Sequence, residues 1–102
     1  MFIAMNRFRI VLGQEKVFEE IWRSRDSQLE GVPGFREFRL LRGPSDEDAT
    51  LYASHTIWDA EQFFRDWTES ESFRKAHAGA RPARDVYLGH PQFEGFEVVL
   101  TD

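Results

Sequence analysis

The amino-acid sequence predicts an α+β domain in which helices lie on one face of a four-stranded antiparallel sheet. Three observations carry that expectation. Apolar residues alternate with polar ones near both ends and in the middle of the chain, segments of helical spacing separate those stretches, and Gly- and Pro-containing turns punctuate them. At 102 residues, with 41% hydrophobic and 15% aromatic composition, residues 1–102 read as a single domain with room for one layered core. Ten Phe and three Trp are many for that size; they can fill a core, line a cavity or face a partner chain.

The elements follow in order. Along residues 2–12, Phe2, Ala4, Asn6, Phe8, Ile10 and Leu12 fall on one face of a first strand, which Gly13 ends. Asn6 interrupts an otherwise apolar face. A buried amide must find partners or cost ~1–3 kcal/mol, so Asn6 either bonds to neighbouring backbone or faces a ligand. Residues 14–30 carry Val17, Phe18, Ile21, Trp22 and Leu29 at helical spacing, with acidic residues early and Arg23 and Arg25 later. Gly31-Val32-Pro33-Gly34 stops that helix.

Residues 35–42 alternate again as a second strand, and the polar stretch 43–48 turns the chain into a third strand at 51–58, LYASHTIW. In 59–80, Asp59 and Gln62 suit a helix start, and Phe63, Phe64 and Trp67 form an apolar stripe. Residues 68–72, TESES, break the stripe with poor helix formers and a second start signal, Thr68 with Glu71. Phe73, Ala76, His77 and Ala80 then resume it, so the helix is expected to bend or restart near Ser70. Residues 79–91 read as loop with Val86-Tyr87-Leu88 as a short anchor, and 93–100 as the last strand. The order strand, helix, strand, strand, helix, strand is the ferredoxin-like βαββαβ arrangement. The second sheet face also carries apolar side chains, which a second copy would cover; the expected assembly is a homodimer, a dimeric α+β barrel.

Composition narrows the partners. A formal net charge of −5 does not suit nucleic acid or an anionic membrane surface, and the absence of Cys removes disulfides, zinc–thiolate sites and Cys-ligated clusters. The N-terminal apolar stretch contains Arg7 and Arg9, so it reads as neither a signal peptide nor a spanning helix, and a cytoplasmic protein is expected. No carboxylate pair with a catalytic signature, HExxH, phosphate loop or nucleophile motif is present. Of the imidazoles, His55 reads as a hydrogen-bonded strand residue and His90 as a solvated loop residue. His77 lies on an apolar helical stripe, where a satisfied core residue and a ligand are both open readings. Pattern alone stops there.

The strand-one Asn6 in FIAMNRF, Trp67 in FFRDW and His77 in SFRKAH, with VPGF, LYASHTIW and LGHPQFEGFEV, resemble the haem-degrading monooxygenases of the IsdG/HmuQ type. These belong to the antibiotic biosynthesis monooxygenase (ABM) superfamily, and the similarity runs along essentially the whole chain. The resemblance implies haem as both substrate and cofactor, O2 and an external electron donor as co-reactants, and no other metal. It implies that His77 is the axial ligand to iron, that Asn6 bonds near the distal oxygen site, and that Trp67 presses on and ruffles the porphyrin. Trp22 and Arg25 match family positions that line the haem pocket; helix–sheet packing or solvent is the alternative for both. Ring opening would release iron and a biliverdin-type product with CO. The same fold also suits a cofactor-free monooxygenase of quinols or polyketides, or a non-catalytic haem carrier. In one straight helix, Trp67 and His77 would stand ~15 Å apart along the axis and ~80° apart around it, so a common cavity requires the break near Ser70.

Overall fold

In the computed structural model, residues 1–78 and 85–102 are described, apart from the side chains of residues 76–78. The chain runs β1 (Phe2–Val11), α1 (Glu15–Ser24), β2 (Phe35–Ser45), β3 (Ala49–Trp58), α2 (Glu61–Thr68), α3 (Glu71–Ala78) and β4 (Gln92–Glu97). The strands form one sheet in the order β2-β3-β1-β4, with each neighbouring pair antiparallel. This is the α+β, ferredoxin-like architecture that the alternating and helical periods predict.

Alternation in β1 sends Phe2, Ala4, Phe8 and Ile10 into the core, as its period of two requires. Asn6 falls between them and divides that core in two. Phe2, Ala4 and Trp58 pack with Trp67 and Leu29 on one side of it; Phe8, Ile10 and Tyr52 pack with Phe18 and Val86 on the other. Burying each large side chain contributes ~1.5–3 kcal/mol, and rings 4.7–5.6 Å apart (Phe18 with Tyr52 and with Phe8) add tilted aromatic contacts. The Tyr52 hydroxyl donates to the Glu19 carboxylate, and burial, followed by that bond, pushes its pKa up to about 12.

Several boundaries differ from those the sequence predicts. Leu12 stands in the turn after β1 and is exposed. α1 ends at Ser24 rather than running to residue 30, and Arg25 is already extended at φ −72°, ψ 149°. The physical reason lies in Asp26-Ser27-Gln28. Asp26 accepts from the Gln28 backbone N–H, Ser27 from that of Leu29, and Gln28 adopts φ 59°, which no helix accommodates. Leu29 is still buried, but it reaches the core from this loop.

β2 extends through Gly43-Pro44 to Ser45 and takes up the irregularity as a register shift between Arg42 and Ser45. As an edge strand it tolerates that Pro. The turn then shrinks to Asp46–Asp48, closed by Asp46 accepting from the N–H groups of Asp48 and Ala49, each at 2.8 Å. β4 ends at Glu97, leaving Val99 and Leu100 at 92% and 78% exposure instead of on a strand face.

The expected helix break is present, between Thr68 and Glu71. Its capping differs from the sequence signals. Asp59 pairs with Arg36, and the N-cap position of α2 is Ala60 without a side-chain bond. Ser70, not Thr68, caps α3: its Oγ accepts from the Phe73 N–H at 3.1 Å and donates to the Trp67 carbonyl at 2.6 Å. Beyond α3, residues 79–84 lie outside the described residues. Val86–Leu88 is the anchor expected, with Val11 N–H donating to the Val86 carbonyl (2.9 Å) and Leu88 N–H to that of Arg9 (2.8 Å).

Candidate active site

Antiparallel register sets one row of side chains across the helix-covered face: Leu40 on β2, Ser54 on β3, Asn6 on β1 and Phe93 on β4. The two middle members are polar, and they fall where the core divides. A cleft of about 280 Å³ opens above that row, between the end of α1 and the α2–α3 pair. Its floor includes Asn6, Ser54 and Ala4.

One wall is aromatic and cationic. Trp22 stacks on Phe38 with ring centres 5.8 Å apart and planes 10° apart. The Arg25 guanidinium lies 4.1 Å from the Trp22 ring centre and 5.0 Å from that of Phe38. Because α1 stops at Ser24, Arg25 leaves the helix in an extended conformation and turns onto this wall. No carboxylate pairs with it among the described residues. Burial lowers its pKa from the usual value, opposed by Tyr87. A guanidinium half-withdrawn from water without a counter-ion is a ready partner for an anionic group.

The opposite wall comes from α2 and the start of α3. Trp67 is 7% exposed and packs against Trp58 at 6.5 Å and edge-on to Phe73 at 5.6 Å. Trp67 thus belongs to the core and to the cleft wall at once. Phe64 stacks on Phe93, with centres 5.4 Å and planes 4° apart, and closes the β4 side.

Asn6, Trp22, Arg25 and Trp67, dispersed over three elements and a loop, therefore line a single cleft. The Asn6 amide makes no side-chain hydrogen bond among the described residues, so of its two readings the backbone-bonded one is not realised. His77 lies within α3, the helix that follows the break and carries Phe73 of the cleft wall; its side chain lies outside the described residues. His90 is exposed, as expected of its loop. His55 departs from expectation: it faces the open side of the sheet, and its buried Nδ1 has no partner among the described residues. No group of three metal-ligating side chains occurs among the described residues. Sequence reasoning missed Ser54, Phe38 and Phe64 as cleft residues. The β1–β3 register that sets Ser54 beside Asn6 would have revealed the first, but register is not written in either strand alone.

Comparison with known proteins adds a family frame. The antibiotic biosynthesis monooxygenase model matches residues 1–79. A heme oxygenase (mycobilin-producing) of Mycobacterium tuberculosis is 32% identical over 98 residues, spanning 96% of this chain and 89% of that protein. The solved structure of the heme-degrader MhuD from Mycobacterium tuberculosis, with two hemes bound in its active site, superposes with a TM-score of 0.77. It is 30% identical, covering 100% of this chain and 99% of that one. SnoaB, a cofactor-independent oxygenase from Streptomyces nogalater, superposes with a TM-score of 0.67 at 18% identity, over 98% of this chain and 95% of that one. That last likeness concerns the fold alone.

Proposed function

The chain belongs to the antibiotic biosynthesis monooxygenase family, and from that premise we propose that it is a haem-degrading monooxygenase that opens the porphyrin ring. The observation that carries this reading is the convergence of Asn6, Trp22, Arg25 and Trp67 on one cleft of mixed aromatic, cationic and amide character. Haem is a flat apolar macrocycle bearing two carboxylates and an iron that needs an axial ligand. The cleft offers aromatic walls for the ring, the unpaired Arg25 for a carboxylate and the unbonded Asn6 amide for an oxygen-bearing ligand. His77, on α3, is the proposed iron ligand, on the strength of the resemblance.

When bound, haem supplies the iron that activates dioxygen and the ring carbon that is oxidised, with electrons from an external donor. The protein's own residues do the rest. Neutral His77 ligates through a ring nitrogen, the form of imidazole that binds metals. Asn6 donates an amide N–H toward the oxygen side and fixes its orientation. Trp67, held by Trp58 and Phe73, would offer the bound ring a rigid aromatic surface. Arg25 anchors a carboxylate and so sets which edge of the ring faces Asn6. The Phe64–Phe93 stack gives the β4 side of the cleft an apolar border for the ring. A linear, biliverdin-type tetrapyrrole is the proposed product, and mass spectrometry of the extracted pigment distinguishes it from a mycobilin.

The same reading includes a homodimer. Ile3, Met5, Leu41, Ala53, Ile57 and Phe96 share the sheet face away from the helices, where Leu41 and Phe96 are exposed, and the His55 Nδ1, without a partner among the described residues, lies on that face. A second copy would cover the apolar groups and offer that nitrogen a partner.

Titration with haemin tests the binding step. A saturable one-to-one Soret change is expected, and His77→Ala should weaken it at least tenfold. An unshifted Soret band would leave the cofactor-free chemistry of the fold as the better account.

A further inference from the structure

β3 presents four hydroxyl-bearing residues in succession on its helix-covered face: Thr50, Tyr52, Ser54 and Thr56. Three of them are committed to the protein. Thr50 donates to Glu15 at 2.8 Å, Tyr52 donates to Glu19, and Thr56 donates to the Ala4 carbonyl at 3.3 Å while accepting from the Trp58 indole at 2.9 Å. Ser54 is the exception. It is only 7% exposed, yet its hydroxyl has no hydrogen-bond partner among the described residues and contributes to the cleft floor. The hydroxyl opens into the cleft, and the empty protein draws no hydrogen bond from it.

The residue directly across the ladder is Asn6, likewise unbonded. Opposed side chains in an antiparallel pair stand ~4.5–5.5 Å apart at Cβ, close enough for both to reach one oxygen atom set between them. Leu40 and Phe93 close the row on either side, so the polar spot is two side chains wide. That width suits a diatomic molecule or a water and is too small for an extended polar group.

We propose that Ser54 is a second hydrogen-bonding group of the site, holding with Asn6 the small oxygen-bearing ligand, dioxygen or water, above the sheet. This assignment rests on the haem reading. Serine's hydroxyl both donates and accepts, so it can serve the ligand directly or through one water.

The test compares Ser54→Ala, Ser54→Thr and Asn6→Ala in the full chain. Three quantities are read: the melting midpoint without haem, the C–O stretch of the carbon monoxide complex of reduced haem-loaded protein, and azide affinity of the ferric form. For Ser54→Ala the midpoint should stay level or rise. Its C–O stretch should move to higher frequency, in the same direction as in Asn6→Ala, and azide affinity should fall about tenfold, with Ser54→Thr restoring both. A midpoint that falls by several degrees would make the hydroxyl structural and overturn the proposal. So would a stretch and azide affinity unmoved in Ser54→Ala but shifted in Asn6→Ala. Absence of a Soret complex in the parent protein would overturn the haem reading and this assignment with it.

Discussion

Asn6 gains its meaning from what it does not bond to. Its amide stands between Ala4 and Phe8 of two separate core clusters, partly buried and open to the cleft, and bonds to no side chain or backbone group among the described residues. Its place in the cleft makes a ligand the natural partner. Asn6→Ala should therefore leave haem affinity within about threefold while abolishing reductive turnover; turnover at the parental rate would remove Asn6 from the chemistry. Sequence made this residue conspicuous because it broke a period of two. Ser54 broke no pattern, since serine is ordinary in a strand such as LYASHTIW, and only register brings it beside Asn6. The resemblance alone points Arg25 to the pocket, on a helix that periodicity extends to residue 30. Its actual position depends on the helix ending early, through local bonds of Asp26 and Ser27 that periodicity does not record.

At the scale of elements, the decisive feature is the interruption between α2 and α3. It was legible because Thr68-Glu69-Ser70-Glu71-Ser72 combines weak helix formers with capping signals, although the cap fell on Ser70. The two bonds of the Ser70 hydroxyl join the end of α2 to the start of α3 and so fix Trp67 relative to Phe73. Ser70→Ala should cost about 1 kcal/mol of stability, as loss of a helix cap does, measured by urea unfolding. It should also weaken haem binding by loosening the wall, and an unchanged unfolding midpoint would contradict the capping role. Gly34 fixes the other approach to this helix pair. It has φ +79°, and an added Cβ would stand 2.2 Å from the Phe63 ring, so α2 rests directly on its backbone.

For the whole molecule, element order and face were readable from alternation, whereas strand ends were not. Apolar Val99 and Leu100 extend the pattern of β4 past the last residue with a pairing partner on β1. The open sheet face bears on assembly. Covering it requires burial of the order of 800 Å² per partner for a stable interface, and a second sheet packed on Ile3, Ile57 and Phe96 is the simplest means. Light scattering after gel filtration should give twice the chain mass, and Ile57→Lys, which sets a charge on that face, should give the monomer mass. A parental protein at the monomer mass would contradict the dimer. No helix among the described residues is long and apolar enough to cross a membrane.

The central claim is that this cleft binds haem and lets it be opened. Its most direct measurement is the fate of the Soret band when ascorbate is added under air to the haem-loaded protein, with catalase present to remove free peroxide. The band should decay within minutes to hours with release of chelatable iron and appearance of a linear tetrapyrrole, and the His77→Ala protein should fail to do so. A Soret band that forms and persists unchanged under these conditions would contradict the claim and leave a haem carrier in its place.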